Sequence, residues 1–365
     1  MEGEGKAKAG AGIEGDPTPA GYSPMGPNQF VDLEGAERFA RLKDDPLGTA
    51  HHRACCGWCG QKLVVGEYEG LRCWVCPVDW PRQIAHALVV QDGKKRRRGV
   101  HVPLPSQVPF YEAYAKYLLW GGQAGPGKST GARRYLYNRS LRVPGHEALL
   151  LRENWDQLKA NHTIKMAHEV PELGGKFYET DRLAVFGKGS DQSLIYCGHM
   201  AETDALQRYI GIEYGAIVAD EASLYPVDAD GVTPLAELST RARRVYQEVW
   251  GPDGGKVPAT VTPRFLPVTN PGGPSAAFLK DFFIDHAPDL ERYPALREDY
   301  RPEEWAYLPA RLDDNPYLDP QYERSLAVLN KTRYEQLRHG DWSVFSGQFF
   351  SEWQGRLHVA EATIV

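Results

Sequence analysis

The stretch LLWGGQAGPGKST, residues 118–130, constrains this chain more than any other. Its glycines and proline would break a helix or a strand that ran through them, so an apolar run must end there and a loop begin. Gly122, Gln123, Ala124, Gly125, Pro126, Gly127, Lys128 and Ser129 spell G-x-x-x-x-G-K-[ST] between a strand-like run, YLLWGG, and a helical one, STGARRYLYNRSL. That context is what the pattern needs to cradle phosphate: the glycines let successive N–H groups turn inward, and the following helix adds its positive end. Lys128 is expected to reach the β- and γ-phosphates of ATP as a catalytic lysine, and Ser129 to hold Mg²⁺, with Thr130 next to it in the nucleotide site. Pro126 stiffens the loop and removes one donor.

Phosphate chemistry needs a second group on the metal side. In YGAIVADEAS a fully apolar run, Ala216 to Ala219, ends on Asp220 and Glu221. A buried strand that ends so puts its carboxylates at the C-terminal edge of a sheet, beside the loop. Asp220 is expected to hold Mg²⁺ through water, and Glu221 to orient and deprotonate a water for in-line attack. Upstream, Gln107 in PSQVPFYEAY offers an amide donor and acceptor that suit the adenine edge; a plain surface glutamine at a helix start is the competing reading.

From residue 105 onward helical patterns alternate with short apolar runs: YLLWGG, EALLLR, SLIYCG, AIVAD and RFLPVTN read as strands. SQVPFYEAYAKYLL, NWDQLKANHTIKMAHEV and PLAELSTRARRVYQEV read as helices. Such alternation implies crossovers and a parallel sheet covered on both faces. The fold expected over 105–345 is therefore α/β, a P-loop NTPase domain of the RecA-like, ASCE kind.

Residues 1–28, rich in Gly, Ala, Pro and Glu, read as a disordered tail or as an arm that orders on a partner. Within 29–92, Cys56-x-x-Cys59 and Cys73-x-x-Cys76 have the spacing of two metal knuckles, and KLVVGEYEGLRC between them reads as a hairpin, as in a zinc ribbon. Structural Zn²⁺ held by all four is expected, with Cys55, His51 and His52 as possible substitutes and Cys197 as a core cysteine. Residues 93–104, with the run KKRRR, read as a basic linker that either contacts DNA or a packaging partner or is merely solvated. A net charge of -6 argues against a chain coated in positive charge, yet a local basic patch suffices to grip nucleic acid. No apolar stretch approaches the roughly 20 residues that span a bilayer, and MEGEGKAKAG lacks the apolar core of a secretion signal, so a cytosolic protein without a membrane partner is expected.

Five blocks in order resemble the ATPase half of the large terminase subunit, the DNA-packaging motor of tailed bacteriophages. They are PSQVPFYEAYAKYLLWGGQAGPGKST, ETDALQRYIGIEYGAIVADEASLYP, LSTRARR, LPVTNPGGPSAAFLKDFF, and ARLDDNPYLDPQYERSLAVLNKTRYEQLRHGDW followed by SGQFFSEW. The resemblance covers roughly residues 105–355. It implies ATP hydrolysis in the host cytoplasm by a homo-oligomeric ring, a pentamer on the portal protein, with a monomer as the alternative state when free. That ring would drive double-stranded DNA into a procapsid, with a small terminase subunit selecting the substrate. Thr269 and Asn270 match the family's coupling motif, which senses the γ-phosphate. Two departures stand out. The family's P-loop arginine is replaced by Ala124, so another arginine must supply positive charge to the transferring phosphoryl; Arg152, Arg241 and Arg243 are the candidates. The sequence given ends at 346–365, about where the family's nuclease domain begins, so no nuclease centre is expected in it. The alternatives are another DNA-dependent P-loop ATPase, such as a helicase-like translocase, for which too few residues follow Asn270 to make a second lobe, and a zinc-binding packaging adaptor without activity.

Overall fold

The computed structural model describes residues 63–344 except 79, 93–95, 202 and 320. The tail 1–28, His51, His52, Cys55, Cys56, Cys59 and the segment 346–365 lie outside the described residues. At the N-terminal side, β1 (Val64–Tyr68) and β2 (Leu71–Val75) form the hairpin expected between the cysteine pairs. The helix α1 (Trp80–Ala85) follows, then β3 (Leu88–Asp92) and β4 (Arg96–His101), which pair antiparallel. Arg96 to Arg98 of the basic run thus lie in a strand. The run's charge hid a pairing set by the apolar residues on either side, Leu88 to Val90 and Val100 to Val102. Tyr68, Val75, Trp80, Ile84 and Val102 bind these pieces into one small core.

The main sheet takes β5 (Tyr117–Gly122), β6 (Glu147–Arg152), β7 (Lys176–Tyr178), β8 (Leu183–Phe186), β9 (Ser193–His199) and β10 (Ala216–Asp220). After the separate hairpin of β11 (Tyr246–Trp250) and β12 (Lys256–Val261), it takes β13 (Arg264–Thr269) and β14 (Trp305–Ala310). Its order is β14-β5-β13-β10-β6-β9-β8-β7. The first six strands run parallel, and β8 and β7 close the edge antiparallel. This is a mixed α/β architecture with a mainly parallel sheet, consistent with a P-loop ATPase fold.

Because side chains alternate across a strand, each central strand feeds two cores. Leu118, Trp120, Leu150, Val218 and Leu266 pack on one face, against Leu136 of α3 (Lys128–Arg142) after the short α2 (Val108–Glu112). Leu158 of α4 (Trp155–Leu158) and Met166 of α5 (Ile164–Glu172) cover the same face. Leu119, Leu149, Leu151, Ile217 and Phe265 pack on the other, under α6 (Pro234–Ser239) and α7 (Ala276–Phe283). The helix expected over PLAELSTRARRVYQEV stops at Ser239; Tyr246 and Val249 instead bury on a strand against Val143 and Val261. Aromatic and β-branched residues at alternating depth favour the strand there. The helix expected over SQVPFYEAYAKYLL likewise shrinks to α2, because Tyr117 to Leu119 are claimed by β5.

Candidate active site

Chain direction positions the site. The P-loop strand β5 and the acidic strand β10 are not neighbours: β13 lies between them, so three parallel strands deliver Gly122, Thr269 and Asp220 to one C-terminal edge. Beyond β5 the loop turns through Gly122, Gly125 and Gly127, all with positive φ. A Cβ on Gly122 would stand 2.7 Å from the Ala310 carbonyl, so the close approach itself requires glycine. The loop's first half is tied to the protein: Gln123 N–H donates to Ala310 O at 2.9 Å and Ala124 N–H to Leu337 O at 2.9 Å. Asn315 Nδ2 donates to Gly125 O at 2.7 Å. Its second half is left open. Gly127, at φ 85°, is the N-cap of α3 and provides no side-chain cap, so the first-turn N–H groups of a 15-residue helix are available to an anion. These groups fit a triphosphate.

Ser129 Oγ donates to Asp220 Oδ1 at 2.8 Å, which brings the loop and the acidic strand end face to face. The pair fits a divalent cation, since a hydroxyl and a carboxylate oxygen already converge there. Asp220 Oδ2 is held by Arg152 Nη1 and by His162 Nε2, the latter at 2.8 Å. Burial would raise the Asp220 carboxyl, but the His162 hydrogen bond, the Arg152 guanidinium and the Ser129 hydroxyl outweigh it and hold the pKa at about 2. His162 is itself pushed down by burial, against the pull of Asp220, so it donates as a neutral imidazole while its Nδ1 faces Arg133 Nη1 at 3.5 Å. Arg133 is in turn clamped by Glu169, at 2.8 and 2.9 Å.

Glu221 stands in the left-handed region, φ 52°, a position that strains a residue with a Cβ. Burial and the Asp220 charge push its carboxyl up, and Arg152, with Nη2 3.5 Å from Oε1, opposes them. A carboxylate with raised affinity for a proton beside a phosphate loop is placed for general-base work. Lys128 Nζ donates to Gln123 O at 2.7 Å and to Asn270 Oδ1 at 2.6 Å. Burial lowers its pKa to about 8, against the attraction of Glu221 and Asp220. Thr269 Oγ1 meets Ser223 Oγ at 2.7 Å, so the end of β13 touches both the P-loop lysine and the turn after Glu221.

Not every expected residue arrives. Gln107 is buried beside the loop, but its Oε1 accepts from Leu104 N–H at 2.9 Å and its Nε2 donates to Gly127 O at 3.3 Å, so its amide already serves as a backbone clip. Arg241 and Arg243 sit not on a helix but beside Tyr214, at the strand start opposite Asp220, where Arg241 binds Glu237 and Arg243 binds Glu213. Of the three, Arg152 alone pairs with Asp220 and Glu221. The structure adds His162, Asp314, which attracts Lys128, and Arg333, which attracts Glu221. No spacing rule points to them. His162 is delivered by a π-helical turn, Lys159–Thr163, between α4 and α5, and such turns gather at functional sites.

Two of the four cysteines expected to hold zinc, Cys73 and Cys76, lie among the described residues. Cys73 lies within β2 and packs with Tyr68, Val75 and Trp80, whereas Cys76 packs with Val65, Trp74 and Leu104 on the opposite face. Among the described residues, which do not include Cys56 and Cys59, no group of three or more His, Cys, Asp or Glu is placed to hold a metal. Cys197, as expected, is a buried core residue.

No protein-family model and no curated protein matches the chain. Among solved structures it is similar to the large terminase of a thermophilic bacteriophage, at 14% identity over 66% of this chain and 54% of that one, TM-score 0.48. It is also similar to the large terminase ATPase domain of Thermus phage P74-26, at 15% identity over 66% of this chain and 94% of that one, TM-score 0.44. A third is the large terminase of bacteriophage HK97, at 12% identity over 67% of this chain and 51% of that one, TM-score 0.41. The chain spans about half the length of the first and third of these terminases.

Proposed function

We propose that this chain is an ATP-hydrolysing motor subunit that moves double-stranded DNA into a viral procapsid. The observation that carries the ATPase part is the 2.8 Å contact between Ser129 and Asp220, which joins a phosphate loop to a buried carboxylate across one cleft. The packaging part rests on the order of the five sequence blocks that resemble the terminase family. Portal protein, small terminase subunit and ring assembly, with five subunits, belong to that proposal.

The substrate's triphosphate is taken by the first-turn N–H groups of α3, with Lys128 exchanging its Gln123 and Asn270 partners for phosphate oxygens. Ser129 and Asp220 would hold Mg²⁺, which supplies charge neutralisation at the phosphates. Glu221 orients a water and accepts its proton as the water attacks in line. Arg152 bridges Asp220 and Glu221 within the same chain and keeps both carboxylates apart and aligned; it is the arginine best placed to compensate for Ala124. Loss of the γ-phosphate returns Lys128 to Asn270, so β13 registers the event. Zinc is left out of this reading: among the described residues no group is placed to hold a metal, and Cys56 and Cys59 lie outside them.

ATP turnover measured with and without double-stranded DNA tests this reading. Turnover stimulated by DNA, and abolished by Lys128→Ala and by Glu221→Gln, is expected. Turnover unchanged in both variants removes the enzyme; turnover indifferent to DNA removes the motor.

A further inference from the structure

A cavity of about 290 Å³ opens on the flank of the P-loop. Its floor includes Gly127 and Thr130, and one wall comes from outside the ATPase fold: Leu71 of β2 and Val100 and His101 of β4. Along α3 successive residues turn by about 100°, so Ser129 faces Asp220 while Thr130 faces this cavity. A nucleotide seated by its phosphates in the loop therefore has the cavity on one side and the carboxylates on the other. The volume is near the low end of ligand pockets, roughly 300–1,000 Å³, which suits a base and its sugar with the phosphates left in the loop.

One polar group in the wall stands unused. His101 is 8% exposed and its Nε2 has no hydrogen-bond partner among the described residues. Its Nδ1 accepts from Arg134 Nη1, and burial, then Arg134 and Arg133, press its pKa well below the usual value. The ring is therefore neutral with its proton on Nε2, a donor in want of an acceptor. Gln107 and Asn315, the amides in the wall, are already spent on backbone partners. An unpaired buried donor is costly, so its retention argues for a ligand that satisfies it.

We propose that the two N-terminal hairpins close the nucleoside pocket of the ATPase and that His101 Nε2–H is a specificity-determining donor to an acceptor atom of the bound nucleoside. Leu71 and Val100 supply apolar cover for the ring, and Tyr317 lies at the mouth. The N-terminal piece is then part of the substrate site rather than an attachment to it. This inference rests on the nucleotide reading above.

Titration of the full chain with a non-hydrolysable ATP analogue and, separately, with inorganic tripolyphosphate tests it. His101→Leu is expected to weaken the analogue about tenfold, as loss of one buried hydrogen bond does, and to leave tripolyphosphate unchanged. His101→Gln, which keeps a donor, should restore most of the affinity. Leu71→Trp, which fills the cavity from the hairpin side, should give the same split, and melting curves establish that each variant is folded. Lys128→Ala should weaken both ligands. Equal weakening of both ligands in His101→Leu and Leu71→Trp, or no weakening in either, overturns the proposal. Indifference of both ligands to Lys128→Ala overturns the nucleotide reading beneath it.

Discussion

Lys128 Nζ and Asn270 Oδ1 lie 2.6 Å apart, joining the phosphate loop to the end of β13 through one hydrogen bond. The lysine has to leave that amide to reach a phosphate, so nucleotide arrival and departure change the partner of Asn270. Asn270→Ala should therefore bind ATP as tightly as the unmodified chain, or a few-fold tighter, since a competing contact is gone. It should lose the acceleration of turnover by DNA. Kd and turnover measured in parallel check this; an Asn270→Ala chain that DNA still stimulates fully would make the contact incidental.

The same lysine sets a pH limit. Its pKa of about 8 in the free site lies below the ordinary lysine value because burial disfavours the charge. A bound triphosphate stabilises the charged form, so binding above that pKa must take up a proton. ATP affinity should be flat below about pH 8 and fall by up to about tenfold per unit above it. Calorimetry in buffers of different ionisation enthalpy should register the proton uptake. Lys128→Arg, which stays charged, should flatten the profile if it binds at all.

Much of this is legible in the sequence. The Gly122–Ser129 loop and the AIVAD strand carry local signals, glycine punctuation and an unbroken apolar run; Thr269 and Asn270 are singled out only by the resemblance, and all arrive at one sheet edge. What stays hidden depends on long-range packing. Nothing local marks His162 as the partner of Asp220, which is 58 residues away. Arg152 is a sequence candidate for the reacting phosphate, and its pairing with Asp220 and Glu221 comes only with the fold. The basic run reads as a linker while its charge is weighed without the apolar residues that flank it, and Arg96 to Arg98 fall in β4. The cysteine spacing suggests knuckles; Cys73 and Cys76 pack in separate apolar clusters, and Cys56 and Cys59 lie outside the described residues.

Glu221 should separate binding from chemistry. Glu221→Gln keeps the shape and the strained backbone but cannot accept a proton, so turnover should fall by about 10²–10⁴ while ATP stays bound. In the unmodified chain the raised Glu221 pKa places the acid limb of the rate profile above the ordinary glutamate range: activity is present above that pKa and lost as pH falls through it. Single-turnover rates across pH 4–8 check the limb, and its disappearance in Glu221→Asp would be unexpected, since that carboxylate still titrates.

His162 supports the metal-side carboxylate from behind. Its side chain is fully buried and donates to Asp220 at 2.8 Å, while Arg133 holds its other nitrogen. Removing it leaves Asp220 short of one donor and opens a void, so His162→Ala should cost about 2–4 kcal/mol of stability. Asp220, with its folded pKa depressed to about 2, contributes stability that is present above the unfolded value of about 4 and lost as pH falls towards 2. Without the His162 hydrogen bond that folded pKa rises towards the ordinary value, and the acid melting transition should move to higher pH. A carboxylate held less firmly also presents itself less well to Mg²⁺, so the Mg²⁺ concentration for half-maximal turnover should rise several-fold while the KM for ATP at saturating metal changes little. His162→Gln, which can still donate to Asp220, should recover part of both effects. If His162→Ala lowers stability alone and leaves the metal dependence and the acid transition where they were, His162 is only a packed core residue, and the Arg152 and Ser129 contacts suffice to hold Asp220.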